Sequence, residues 1–285
     1  MTIAMFSIMG SVVMHVVWNL LVRQQGPQTR MLWWALATHC VLLGPWGVYA
    51  LITEAHWSLS LVGYLAVSAL ANMVYFIALD RAYHHAPVAL VYPIVRSSPL
   101  LIGLWSVWFF HEILDSHAWV AMGVSVGGLL LLASSAWRND ARTALPWAFG
   151  ASLMTSVYSL SDKAATEYLP SIASLLGFIT VGYFLSFITI SILLRREHGQ
   201  WFPRRRPPLV IMLIGGLCIG LAYIFVIHAM RSLPAAVVVA FTNSGIVIAG
   251  LLSIFMFHER AHWQLRLVGI LITALGLVFL VLTKF

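Results

Sequence analysis

Arg96 is a cation in an apolar setting. It lies inside the otherwise uncharged run 87–110, about eight residues from its start and so roughly 12 Å deep at 1.5 Å per helical residue. An ionisable group in hydrocarbon is costly and is kept where it acts, so Arg96 is expected to face an enclosed cavity. Its planar fork of donors suits a carboxylate, phosphate or phosphonate, and an anionic group on a ligand is the direct inference. The competing reading is structural: helix-end carbonyls, or a carboxylate such as Asp162 or Asp80, hold Arg96 and fix helix packing. Pro93 and Pro99 flank it, as a hinge or as plain packing features.

Other polar groups recur at helical spacing. His15, Trp18, Asn19 and Val22 fall at i, i+3, i+4 and i+7, and Thr155, Tyr158, Ser159 and Asp162 repeat the pattern. Two such stripes fit opposite walls of one cavity, although polar residues also serve as interhelical glue worth about 1 kcal/mol each. Asn72, Tyr75 and Phe76, with Tyr223 and His228, add amphipathic groups that could seat an apolar or ring-bearing ligand. Trp33, Trp34, Trp46 and Trp57 read as interface anchors. His15 and His228 are the deep groups able to change charge near neutral pH, and are the candidates for proton coupling. Every acidic residue sits at a helix end or in a connection, which argues against a proton-coupled exporter of organic cations built on a central carboxylate.

These side chains need a scaffold that holds them away from water. Of the 285 residues 61% are apolar and 9% charged, against roughly 25% charged in a soluble domain. Long unbroken apolar runs exclude a β-barrel, whose strands alternate, and leave membrane-spanning helices. Ten are predicted: 3–22, 31–52, 59–79, 87–110 and 117–136, then, after the polar segment 137–143, 144–165, 171–194, 209–230, 234–257 and 263–282. The fold class is therefore an all-α polytopic membrane protein with a first five-helix unit at 1–136, a linker at 137–143 and a second unit at 144–285. The start of the chain lacks a basic region and a cleavage site, so the first run reads as a retained helix. Cys40 and Cys218 lie in apolar runs and read as small buried side chains.

The two units are repeats. At an offset of 147, Ala82 matches Ala229, Pro87 matches Pro234, Ser97 matches Ser244, Gly103 matches Gly250, and His111-Glu112 matches His258-Glu259. At an offset of 140, Gly10, Met14, Trp18, Asn19 and Arg23 face Gly150, Met154, Tyr158, Ser159 and Lys163. Five is odd, so the second unit enters the membrane from the opposite side, which gives the inverted repeat that lets a transporter alternate access around a midplane site. Asn243 aligns with Arg96 and is the cavity candidate from the second unit. The His-Glu pairs read as structural features at the interface.

This layout resembles the EamA-type drug/metabolite transporter superfamily. The likeness rests on the entries 82–87 and 229–234, the F-H-E exits at 110–112 and 257–259, and the glycine-rich fifth and tenth helices. The stretch Tyr92-Pro93-Ile94-Val95-Arg96-Ser97-Ser98-Pro99 resembles a Y-P-x-x-R-G-x-x-P pattern of one subgroup, with Ser97 in place of the glycine, and the segment from His15 to Asn19 resembles that subgroup's first helix. The resemblance implies that helices 1 to 4 and 6 to 9 line a central cavity, that helices 5 and 10 pack peripherally, and that Tyr92 joins Arg96 in the substrate site.

The net charge of +7 reports orientation first. Twelve of the sixteen Lys and Arg fall in odd-numbered connections, against Lys163, Arg231 and Lys284 on the other face. Positive-inside bias then places the odd connections in the cytoplasm of a bacterial inner membrane and both termini outside, whereas the resemblance implies termini inside. No Walker, H-E-x-x-H or G-x-S-x-G motif occurs, so no enzyme, cofactor, metal or nucleic-acid partner is expected. The expected function is a secondary transporter or exporter of a small anionic or zwitterionic metabolite. A flippase for an anionic lipid or lipid-linked phosphate is the alternative. Membrane lipid and the substrate are the expected partners, with a homodimer possible.

Overall fold

The computed structural model describes residues 2–25, 29–137, 141–255 and 262–282, and every regular element among them is helical. The side chains of Val22 and Arg23, the second His-Glu pair (His258-Glu259), and Arg138, Arg260 and Lys284 of the charge count lie outside the described residues. The first unit holds α1 (Thr2–Gln25), α2 (Met31–Leu42), α3 (Gly44–Glu54), α4 (Leu59–His85), α5 (Val88–Val95), α6 (Pro99–Phe110) and α7 (Ser116–Ser134). The second holds α8 (Leu145–Ala165), α9 (Ile172–His198), α10 (Leu209–Met230), α11 (Ala235–Thr242), α12 (Ser244–Phe255) and α13 (Trp263–Leu282).

Three of the ten predicted helices are broken, two of them beside a proline. Between α2 and α3 the axis turns by 54° at Leu43, where Pro45 in the first turn of α3 has no N–H to continue the ladder. Between α5 and α6, Arg96 leaves helical geometry at ψ 4°, and α6 restarts at Pro99, a residue suited to a first turn. Between α11 and α12 the interruption falls at Asn243, with no proline beside it. Elsewhere the ends carry ordinary caps: Ser58 accepts from the Leu61 N–H at 3.2 Å, Ser171 and Ser174 form a reciprocal capping box, and Gly199 ends α9 at φ 71°.

Among the described residues, eight helical segments are long and apolar enough to cross a membrane, or nine when the bent α2–α3 pair counts as one. The tenth predicted span, α8, has the length but not the apolarity. Its Ser152, Thr155, Ser156, Ser159, Ser161 and Asp162 are all buried, so its polar side faces protein and never meets lipid.

Packing follows the repeat. α4 packs on α8 and α1 on α10, while α3 packs on α9 and α7 on α13. This is the pairing that a two-fold axis exchanging the units requires. The α7–α13 contact depends on missing side chains. A Cβ on Gly276 would lie 2.4 Å from the Ser125 nitrogen and 2.7 Å from the Ala121 oxygen, and one on Gly128 2.4 Å from the Thr273 nitrogen. In lipid such close backbone approach supplies the van der Waals contact that hydrophobic burial cannot. Gly276→Ala should therefore lower stability in detergent by about 1–3 kcal/mol through overpacking. Gly63→Ala, where a Cβ meets nothing within 4 Å, should leave it unchanged or raise it by up to about 1 kcal/mol. Thermal melts of the two variants compare the sites directly.

Candidate functional site

A cavity of about 770 Å³ opens between the units. Its floor and walls come from the elements the sequence indicated: α1, α2, α4 and α5 of the first unit and α8 to α12 of the second. The fifth helices contribute as well, with Leu132 of α7 and with Arg266 and Ile270 of α13 reaching the lining. Of the predicted residues, His15, Trp18, Asn19, Asn72, Tyr75, Tyr92, Arg96, Tyr158 and Tyr223 line it. Asp162, His228 and Asn243 do not.

Arg96 is held by neutral partners. Nε donates to the Tyr92 hydroxyl at 3.0 Å, one terminal nitrogen to Thr242 Oγ1 at 3.1 Å and the other to His15 Nδ1 at 3.1 Å. The guanidinium also lies 5.1 Å from the centroid of the Tyr92 ring, within cation–π range. Asn19 Nδ2 donates to the same Tyr92 hydroxyl at 2.8 Å, tying the first-helix stripe to the break in the fourth. Arginine has donors alone, so the bond to His15 fixes Nδ1 of that ring as the acceptor and its proton, when neutral, on Nε2. The carboxylate partners considered from sequence are engaged elsewhere: Asp80 lies 3.7 Å from Arg30, and Asp162 accepts from the Tyr223 hydroxyl.

The two breaks meet. Asn243 Nδ2 donates to the Arg96 carbonyl at 3.1 Å, a bond between residues 147 apart that the repeat makes equivalent. Asn243 is 0% exposed and supports Arg96 from behind. Breaking both helices frees backbone carbonyls that would be ruinous in lipid and are tolerated at the edge of a protein-enclosed cavity. His228 sits apart, its Nδ1 3.1 Å from Ser7 Oγ.

The walls are aromatic. Six of the nine tyrosines line the cavity: Tyr75, Tyr83, Tyr92, Tyr158, Tyr183 and Tyr223. Tyr75 meets Tyr158 edge-on at 5.5 Å, and Tyr158 meets Tyr223 at 5.4 Å, the T-shaped geometry that ring quadrupoles prefer. Sequence reasoning passed over Tyr83, Tyr183 and Thr242. Thr242 is adjacent to Asn243, and the offset that found one could have found the other.

The cavity reaches one end of the bundle. Arg30, Asp80, His84, His85 and Pro87 line its mouth, whereas no residue of the connections 55–58, 111–115, 166–171 or 231–234 lines it. The mouth carries an ion cluster missed from sequence, where its charges counted toward orientation alone. Arg30 lies 3.7 Å from Asp80 and 3.9 Å from Glu197, with His198 Nε2 at 3.0 Å and His84 Nε2 at 3.3 Å, and Glu197 also pairs with Arg81. The opposite end is stapled shut. Lys163 pairs with Glu112, Arg231 donates to the Leu169 carbonyl, Ser171 donates to Glu54, and the His56 N–H bonds the Tyr168 carbonyl at 2.9 Å. Among the described residues no group of His, Cys, Asp or Glu is placed to hold a metal ion.

The Tyr92 hydroxyl serves two donors at once. Tyr92→Phe should cost about 1–3 kcal/mol by leaving the Arg96 and Asn19 donors unpaired. Tyr83→Phe, at a cavity-lining hydroxyl without a hydrogen bond among the described residues, should cost much less. Denaturation of both variants in detergent measures the difference.

Comparison with known proteins agrees with this architecture. The EamA-like transporter family matches the chain twice, over residues 2–134 and 142–282, which are the two repeats. A solved structure, described simply as the crystal structure of a protein, superposes with a TM-score of 0.71 at 18% identity, covering 98% of this chain and 97% of that one. At that identity the likeness is one of fold. No curated protein matches the chain. The chain belongs to the EamA-like transporter family and is a multi-pass membrane transporter.

Proposed function

We propose that this EamA-like transporter moves a small organic anion or zwitterion by alternating access, with Arg96 binding the substrate's negative group. The observation that carries the reading is that Arg96 faces the cavity with neutral partners and no carboxylate. Three of its five N–H groups are engaged by Tyr92, Thr242 and His15, which leaves two for a ligand's oxygens. An arginine already oriented by three bonds loses little freedom when it binds, and that favours affinity.

The volume of about 770 Å³ falls in the range of small-molecule sites. Tyr75, Tyr158 and Tyr223 offer flat apolar faces with polar edges to the body of the ligand, while Asn19 and Asn72 can read further polar groups. The same anion-binding chemistry would accept a lipid phosphate, so lipid phosphates belong in the test. Alternating access is supported by the inverted repeat together with a cavity open at one end and stapled at the other. By the charge count the open end, bearing the odd connections, faces the cytoplasm of a bacterial inner membrane, and the termini lie outside.

Ligand-induced thermal shifts in detergent, over amino acids, carboxylates, phosphonates and lipid phosphates, test the site. An anionic member should stabilise the wild type. Arg96→Gln should weaken that binding roughly 10- to 100-fold, the value of hydrogen bonds to a charged group, and equal stabilisation of both proteins would reject Arg96 as the anion's partner. Orientation is read with Trp201→Cys, at an exposed position in the connection between α9 and α10. An impermeant maleimide should leave it unlabelled in intact cells, and labelling would place the odd connections outside.

A further inference from the structure

Asp162 is the one acidic side chain among the described residues that is wholly enclosed, at 0% exposure on α8, one turn before Ala165. It belongs to the stapled end of the bundle, beyond the cavity floor. Oδ2 accepts from the Tyr223 hydroxyl, and Tyr223 itself lines the cavity. Oδ1 has no donor in hydrogen-bonding geometry.

Among the described residues no positive charge is placed against the carboxyl. From α4, Ser68 stands against the carboxyl, and Asn72, one turn on, spends its Nδ2 on the Ser68 carbonyl at 3.0 Å. α10 contributes Tyr223 and α9 contributes Tyr183, while Tyr158 comes from α8 itself. α5 contributes Tyr92, which is committed to Arg96 and Asn19. α6 and α11 contain no titratable residue. Lys163, the next residue in the chain, is paired with Glu112, and among the described residues no ion pair includes Asp162.

An ionised carboxylate withdrawn from water, with a phenol in place of a cation, carries an uncompensated desolvation penalty. The sealed end is therefore compatible with a neutral carboxylic acid at 162, and a charge there requires water. The sequence-level candidates for coupling lack this property: His15 presents Nδ1 as an acceptor to a permanent cation, and His228 bonds Ser7 away from the cavity.

We propose that Asp162 is a proton-binding site of the transport cycle, occupied while its end of the bundle is sealed and emptied when that end opens. In the step itself the carboxylic O–H bond breaks, the proton passes to water entering the opened end, and the carboxylate is hydrated; resealing requires the proton back. The proposal rests on the alternating-access reading above but not on the identity of the substrate or on its contact with Arg96.

The test uses no substrate, so its failure is distinct from failure of anion binding at Arg96. In a background with Cys40 and Cys218 replaced by alanine, spin labels at Ile113→Cys and Ser232→Cys, in two connections of the stapled end, report its opening by pulsed distance measurement. Infrared difference spectra between about pH 6 and pH 9 report the carbonyl stretch of a protonated carboxyl. The wild type should show a single short distance at the lower pH, with a longer component gained and the acid band lost at the higher pH. Asp162→Asn should lack the band and keep the short distance at both. A wild type without the band, or an Asp162→Asn protein that opens with pH as the wild type does, overturns the proposal. Should Asp162→Asn fail to fold, Tyr223→Phe carries the test: losing the bond to Oδ2 should move the midpoint of the acid band by about one pH unit, and an unmoved midpoint overturns the proposal.

Discussion

A guanidinium held inside a bundle of apolar helices must have every donor met by protein, water or ligand, and the centre of this molecule is arranged around that requirement. Tyr92 from one turn earlier on α5, and Thr242 and His15 from helices distant in sequence, surround Arg96. At the break between α5 and α6 the Arg96 carbonyl is taken up by Asn243 from the second unit. Asn243 can do this because its own helix is interrupted at the equivalent point. The two broken helices thus meet at Arg96 and Asn243, and that contact joins the units at the cavity.

The rest of the cavity follows from keeping that charge apart from the lipid. α8, too polar to cross a membrane on its own composition, is held among other helices and presents Thr155, Tyr158 and Ser159 inward. The tyrosine-rich wall gives neighbouring elements apolar faces to pack and leaves hydroxyls where a cavity needs them. At the periphery the logic reverses: α7 and α13 close on glycines, with backbone against backbone, because side-chain burial gains little between helices already bathed in hydrocarbon.

Much of this was legible from residue order, for reasons that can be named. Ungapped identity at an offset of 147 exposes the repeat, and helical spacing placed His15, Trp18 and Asn19 on one face and Thr155, Tyr158 and Ser159 on another; all six line the cavity. Hydropathy ended the third and seventh helices near Leu79 and Leu194, whereas they run on to His85 and His198, since a helix leaving the hydrocarbon loses its apolar residues before its hydrogen bonds. The break at Asn243 carries no proline and could be seen solely through its alignment with Arg96. Asp162 was read as a helix-end residue, and it is one, but position along a helix does not reveal what packs around it. The ion cluster of Arg30, Asp80 and Glu197 joins the start of α2 to the last turns of α4 and α9, far apart in the chain, a convergence that follows from the folded bundle and not from local pattern.

The unlike residues at the two breaks have a further consequence. An inverted repeat offers a second conformation by letting each half adopt the shape of the other, and a perfect repeat would hold the two at equal energy. Here one half brings arginine to the axis and the other asparagine, so the exchange carries a charge into a setting built for an amide. If the protein alternates access as proposed, the two conformations would be unequally populated without ligand. On the reading proposed above, an anionic ligand at Arg96 would make the halves more alike and bring the pair closer to balance, so the cargo would act as the missing symmetry element of its own carrier.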